Sequence, residues 1–325
     1  MSDVVAAAGA GHLGWLEAAL IGLVQGVTEL FPVSSLGHSV LIPALVGGTW
    51  AQDLNVSSPE SPYLAFIVGL HVATALALIV YFWRDWVRIV GGLITSVRHR
   101  RVSTPDERLA WLLVLATIPV GLTGLLLEHT FRTVLAKPVP TAVFLMLNGV
   151  VLFVAERYRR RSAAMPDAET PGDAAEGHLV SHSQAATGTH SMVATDRRVS
   201  RLSVRRAVLV GSAQIAALAP GISRSGVTMA AGLRAGLGHQ DAARFSFLLA
   251  TPVILAAGVL KIPDLFGPLG DGIRGQVLLG SLVSGVAAYL SVRFLDRYFV
   301  SNSLRPFAYY CVAAGAISLV VLLAR

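Results

Sequence analysis

The chain has 325 residues, 54% of them hydrophobic and only 14% charged, with a formal net charge of +7. An ordinary soluble domain carries about 25% charged residues, so too few charges remain here to coat a water-soluble globule. The same figures exclude a disordered chain and a nucleic-acid-binding tail, and the single cysteine, Cys311, excludes a disulfide scaffold. An all-α polytopic membrane protein is the reading that remains.

No basic stretch precedes the first apolar run, and Glu17 interrupts that run, so no cleaved signal peptide is expected. Six apolar stretches reach or approach the roughly 20 residues needed to cross a bilayer. They are 63–83, 109–127, 141–156, 243–260, 276–292 and 306–324. Trp83, Trp86 and Trp111 sit at the ends of such stretches, where aromatic rings favour the headgroup region.

Two further apolar regions are broken in the middle. Residues 13–46 contain Gln25, Glu29, Pro32, Ser34, Ser35 and His38; residues 207–237 contain Gln214, Pro220, Gly221, Ser223, Arg224 and Ser225. Irregular backbone at membrane depth survives only inside protein or against a wet cavity. Both regions are therefore expected to be re-entrant helical hairpins. A hairpin makes no net crossing and three spans reverse direction, so the order hairpin, three spans, loop, hairpin, three spans implies an inverted-topology repeat. The first repeat is 1–156, a cytoplasmic loop is 157–206, and the second repeat is 207–325.

Arg and Lys placement sets the expected orientation. The connections 84–108, 157–206 and 293–305 carry 18 cations, against 4 in 44–62, 128–140 and 261–275. The rich connections should face the cytoplasm of a bacterial plasma membrane, with both termini and the mouth of the first hairpin outside. Residues 162–200 lack apolar periodicity and are expected to be a disordered loop. Its His178, His182 and His190 have loose spacing and no partner cysteine, so solvated side chains are expected there rather than a metal site. Arg234 and Arg244, flanking the exit of the second hairpin, are expected to snorkel to the headgroups.

The chemistry concentrates in the two breaks. Gln25 and Glu29 are four apart and share one helix face, and a carboxylate in an apolar segment is costly and usually functional. Ser34, Ser35 and His38 put two hydroxyls and an imidazole within one turn after Pro32. Such a group suits a nucleophile with its base, or hydroxyl ligands for phosphate; Ser34 can equally cap the second half-helix. In the second break, Gly221 and Gly226 allow close backbone approach, and Ser223, Ser225 and Thr228 supply hydroxyls. Arg224 offers a planar fork at a helix N-terminus, an arrangement suited to phosphate. His71, Thr74, Asn148 and Gln214 either line the cavity or hydrogen-bond between helices, with helix packing the expectation for each and Gln214, shortly before that motif, the best supporting residue.

Both motifs resemble those of the undecaprenyl-diphosphate phosphatases, membrane enzymes linked to bacitracin resistance. One is the stretch from Gln25 to His38, ending Pro-Val-Ser-Ser-Leu-Gly-His; the other is Pro-Gly-Ile-Ser-Arg-Ser-Gly-Val-Thr, from Pro220 to Thr228. A third likeness runs from Phe245 to Pro252. The resemblance implies hydrolysis of undecaprenyl diphosphate to the monophosphate and inorganic phosphate, which recycles the lipid carrier of peptidoglycan synthesis. It also implies a divalent cation, Mg2+ or Ca2+, with Glu29 as its ligand, and a catalytic set of Glu29, Ser35, His38 and Arg224. Phosphate contacts would come from Ser34, Ser223, Arg224, Ser225, Gly226 and Thr228. Gln25 stands where many relatives have Glu, so Glu29 carries more of the acid–base work. The nucleophile stays open between Ser35, His38 and a metal-bound water, with a slight preference against His38. The partners expected are the lipid substrate and membrane lipid, with a homodimer left open. A lipid-phosphate flippase or transporter using the same broken helices is the second reading.

Overall fold

The computed structural model describes residues 13–54, 62–164, 188–267 and 270–325. The described residues are helical apart from turns. In chain order the helices are α1 (Trp15–Thr28), α2 (Ser35–Val46), α3 (Gly48–Asp53), α4 (Pro62–Tyr81), α5 (Trp83–His99), α6 (Pro105–Leu135) and α7 (Pro138–Ala164). After these come α8 (Gly188–Ser200), α9 (Val204–Ser212), a 3-10 turn (Ala213–Leu218), α10 (Arg224–Arg234), α11 (His239–Phe266), α12 (Arg274–Ser301) and α13 (Arg305–Leu323).

Five helices are long and apolar enough to cross a membrane, at Pro105–Leu127, Pro138–Arg160, His239–Val259, Arg274–Ser301 and Arg305–Leu323. They match five of the six expected spans. The sixth, α4, passes the same test only together with α5, from which it is bent by 87°. Leu122, Leu125 and Leu126 of α6, Leu278 and Leu282 of α12, and Ile317 and Val320 of α13 are exposed. That much apolar side chain on the outside fits a lipid surround and not water.

Three expectations need correction. The connection 84–108 is largely helical, since α5 follows α4 after the sharp bend and packs against α6. Its Val87, Val90, Ile94 and Val97 face outward and its Asp85, Ile89 and Ser96 inward, a helical period that the arginines obscure in the sequence. The supposedly disordered stretch also divides. Residues 165–187, with His178 and His182, lie outside the described residues, but 188–200 form α8. Ion pairs to distant residues order α8 together with its buried Val199. Asp196, 2% exposed, accepts from Arg244 at 2.6 Å and from Arg88 at 2.7 Å, and Arg198 pairs with Asp241.

Arg244 therefore does not snorkel. It is 1% exposed, grips Asp196 through two hydrogen bonds, reaches Asp85 at 3.1 Å and lies over the Phe82 ring. Such a cation is retained in a low-dielectric interior because carboxylates pair with it. Arg234 is exposed, as expected, and lies over the Tyr158 ring.

The arginine-rich connections share one face of the bundle. Arg88 meets Asp196, Arg159 meets His239, and the Glu156 carboxylate accepts from the Leu304 backbone and contacts His239. The C-terminus shares a face with the end of α2, where Arg325 donates to the carbonyls of Ala44 and Leu45.

Candidate active site

The first break forms because Pro32 cannot donate to the helix ladder, and the chain turns from Glu29 to Ser34 before α2 begins. Ser34 is the N-cap of α2. Its Oγ accepts from the Gly37 backbone at 3.2 Å, so the capping role holds. Ser34 also adopts φ +70°, a left-handed conformation that costs a non-glycine residue about 1–3 kcal/mol. A second bond helps to offset that cost: the same Oγ accepts from Gly221 N of the other break at 3.2 Å.

The second break forms similarly. The 3-10 turn ends at Ala219-Pro220, and Ser223 caps α10 through a bond from Gly226 N. Gly221 sits at φ +107°, and a Cβ there would lie 2.4 Å from the Thr141 carbonyl oxygen, so only glycine fits.

The two tips are tied to each other across the centre of the bundle. Asn148 of α7 donates to Pro32 O at 3.0 Å and accepts from Ser223 N at 3.0 Å, strapping one tip to the other. Ser225 Oγ donates to Phe31 O at 3.0 Å and shares a further bond with Ser223 Oγ. Cys311 is a free thiol beneath the strap, within reach of Pro32 O and Asn148.

This junction places Glu29 at the meeting point. The residue is 7% exposed, and both its oxygens are engaged. Arg224 Nη2 donates to Oε1 at 2.9 Å. Oε2 receives Ser35 Oγ at 2.5 Å and Gln25 Nε2 at 3.0 Å, and faces His71 Nε2 at 3.3 Å. Glu29, Ser34, Ser35, His71, Gln214, Ser223 and Arg224 line one cavity of about 280 Å3 whose remaining wall is apolar, including Ile67, Val68, Val253 and Ile254. Three buried polar atoms on this junction have no partner: Arg224 Nη1, Gln25 Oε1 and Gln214 Oε1. Gln214 anchors its other end by donating to Gly211 O. Buried donors and acceptors are rarely left unpaired, and two of these, on Arg224 and Gln214, belong to residues that line the cavity, which suits it to a polar ligand.

Not every residue singled out from the sequence reaches the cavity. His38 is held by Ser34 O through Nδ1 and by the Tyr310 hydroxyl through Nε2, each at 2.7 Å, and does not line it. Thr228 Oγ1 donates to Arg224 O one turn back, Ser225 serves the tip-to-tip contact, and Gly226 N serves the α10 cap on Ser223. Conversely, His71 and Asn148, read as packing residues, belong to the site or to its support. The intramembrane position of His71 was the only signal in the sequence. Thr74 back-bonds to His71 O, as a packing residue does.

Comparison with known proteins identifies the family. The profile of the bacitracin resistance protein BacA matches residues 18–317. The undecaprenyl-diphosphatase of Mycolicibacterium paratuberculosis is 63% identical over 314 residues, covering 97% of this chain and 99% of that protein. The undecaprenyl-diphosphatase of Mycobacterium avium is likewise 63% identical with the same coverage. Undecaprenyl-diphosphatase 1 of Frankia casuarinae is 54% identical, covering 94% of this chain and 97% of that protein. With the profile matched across nearly the whole chain and relatives this similar along their full length, the chain belongs to the BacA family of bacitracin resistance proteins.

Proposed function

We infer that this protein is an undecaprenyl-diphosphatase of the bacterial membrane, releasing inorganic phosphate from undecaprenyl diphosphate and returning the lipid monophosphate to peptidoglycan synthesis. The observation that carries the reading is the junction of Glu29, Ser35 and Arg224, where two separate breaks supply a carboxylate, a hydroxyl and a guanidinium with a spare donor. The cavity, about 280 Å3, is below the roughly 300 Å3 at which pockets for drug-sized ligands begin. It takes a diphosphate headgroup and leaves the long prenyl chain to the lipid.

Chemically, Arg224 Nη1 is free to grip oxygens of the terminal phosphate while Nη2 keeps Glu29 in place. Ser35 Oγ is the nucleophile this geometry favours over His38. It gives its proton to Glu29 and bonds to the terminal phosphorus, and the bridging P–O bond breaks. The electron pair leaves with undecaprenyl phosphate. Water then hydrolyses the phosphoserine.

The residues also fit a divalent cation shared with the substrate. No cluster of three or more His, Cys, Asp or Glu exists among the described residues, so these residues alone build no complete cage. Glu29, which lines the cavity, is an oxygen ligand of the kind such a cation takes alongside substrate phosphates. Bound there, it would neutralise charge on the diphosphate.

The inverted repeat is part of the same proposal. Matching the halves pairs α1 with α9, α4 with α11, α6 with α12, and α7 with α13. Contacts support the match, since α1 packs on α12 as α9 packs on α6, while α4 meets α11 and α7 meets α13. Both arm contacts are close. A Cβ on Gly22 would lie 2.5 Å from Gly280 O, and one on Gly211 would lie 2.0 Å from Ala116 O. Arginine placement then puts the mouth of the first hairpin outside, with the diphosphate taken from the outer leaflet.

The test is phosphate release by purified protein in detergent, where no membrane sidedness exists, with and without chelator. Wild type should turn over, and chelator and Glu29→Gln should each remove most activity. A wild type that releases no phosphate while moving lipid phosphate across vesicles would replace the hydrolase with a transporter.

A further inference from the structure

We propose that His71 is a positioning residue for this reaction, holding Glu29 Oε2 in line with Ser35. The inference rests on the hydrolase reading above and deepens it. His71 lies in α4, outside both broken hairpins and 42 positions beyond Glu29. Its Nε2 faces Glu29 Oε2 at 3.3 Å, and its Nδ1 lies 2.8 Å from Ile67 O, one turn back. Both ring nitrogens thus face oxygen acceptors, and a proton on Nε2 points at the carboxylate. The side chain retains 27% of its exposure, on the cavity side.

The geometry around Oε2 explains why a third donor matters. Gln25 approaches this oxygen from one turn back on α1, and Ser35 reaches it from the start of α2. Both belong to the first hairpin and move with its turn. His71 approaches that oxygen from a separate helix, and its ring is anchored to the α4 backbone, so it references the carboxylate to the body of the bundle. Arg224 does the same for Oε1 from the second hairpin. With both oxygens held from outside the hairpin, the carboxylate cannot rotate when Ser35 transfers its proton. Loss of about an ångström of alignment costs on the order of 100-fold in rate.

The test compares His71→Leu, which keeps bulk but donates nothing, with His71→Gln, which keeps one donor. Both are assayed for phosphate release from undecaprenyl diphosphate, with elution profile and thermal unfolding in detergent confirming the fold. His71→Leu should lower kcat about 100-fold with KM changed less than about threefold, and His71→Gln should recover to within about tenfold of wild type. In a Glu29→Gln background, His71→Leu should cost little more, because the group it positions is gone. Full kcat in folded His71→Leu overturns the proposal. So does a folded His71→Gln as impaired as the leucine variant, or an undiminished cost in the Glu29→Gln background. Active wild type with any of these results leaves the hydrolase reading standing, whereas inactive wild type overturns both.

Discussion

Arg224→Lys separates the charge at the junction from its shape. Lysine keeps the positive charge and most of the reach, but it presents a point in place of a fork. In the structure Nη2 is committed to Glu29 at 2.9 Å, and Nη1 is buried and unpartnered. A single ammonium can satisfy the carboxylate or the phosphate well, not both. The variant therefore loses one hydrogen bond to a charged group, worth about 1.5–3 kcal/mol. At about 1.4 kcal/mol per decade, kcat/KM should fall about 10- to 150-fold. Because the charge stays paired with Glu29, the thermal unfolding midpoint in detergent should barely move. The assay is initial-rate phosphate release at subsaturating and saturating undecaprenyl diphosphate, at fixed divalent cation. A variant within about threefold of wild type would show that Arg224 acts only as a counter-charge for Glu29, and the forked contact with phosphate would be wrong.

Other expectations concern the scaffold that brings the two breaks together. Asn148→Leu preserves volume but leaves Pro32 O without its strap and orphans Ser223 N. At about 1–3 kcal/mol for each unpaired buried group, it should lower both the unfolding temperature and the turnover. Normal activity would mean the tips hold each other without it. Arg244→Leu leaves Asp85, Asp106 and Asp196 around Arg88 alone, and should destabilise the fold by about 3–5 kcal/mol, read by thermal or denaturant unfolding. Adding Asp196→Asn should recover part of that loss; no recovery would show that Arg244 matters through packing on Phe82 instead.

How much of this was legible beforehand follows from what each signal measures. The spans at 109–127, 141–156, 243–260, 276–292 and 306–324 were readable because transfer into lipid is a sum over neighbouring residues. The breaks at Pro32 and at Pro220-Gly221 were readable because proline and glycine act on their own backbone. Glu29, Ser35 and Arg224 stood out as polar residues in apolar surroundings, which is again a local contrast. α5 was missed because its arginines masked a helical period. α8 was missed because ion pairs with distant residues order it, and those partners are 108 positions away for Arg88 and 48 for Arg244.

The sequence alone thus determined which long segments are apolar enough to span a bilayer, where the two polar-rich regions break and which polar groups stand out in apolar surroundings. Only the tertiary structure decided which of those groups meet. It turned His38, at the end of a motif, toward Tyr310, 272 positions away, and brought His71, expected to serve helix packing, to within 3.3 Å of the carboxylate. The reason is physical: hydropathy and backbone preference are sums over near neighbours, whereas a site is a set of pairings between helices. Those pairings depend on which faces the packing presses together.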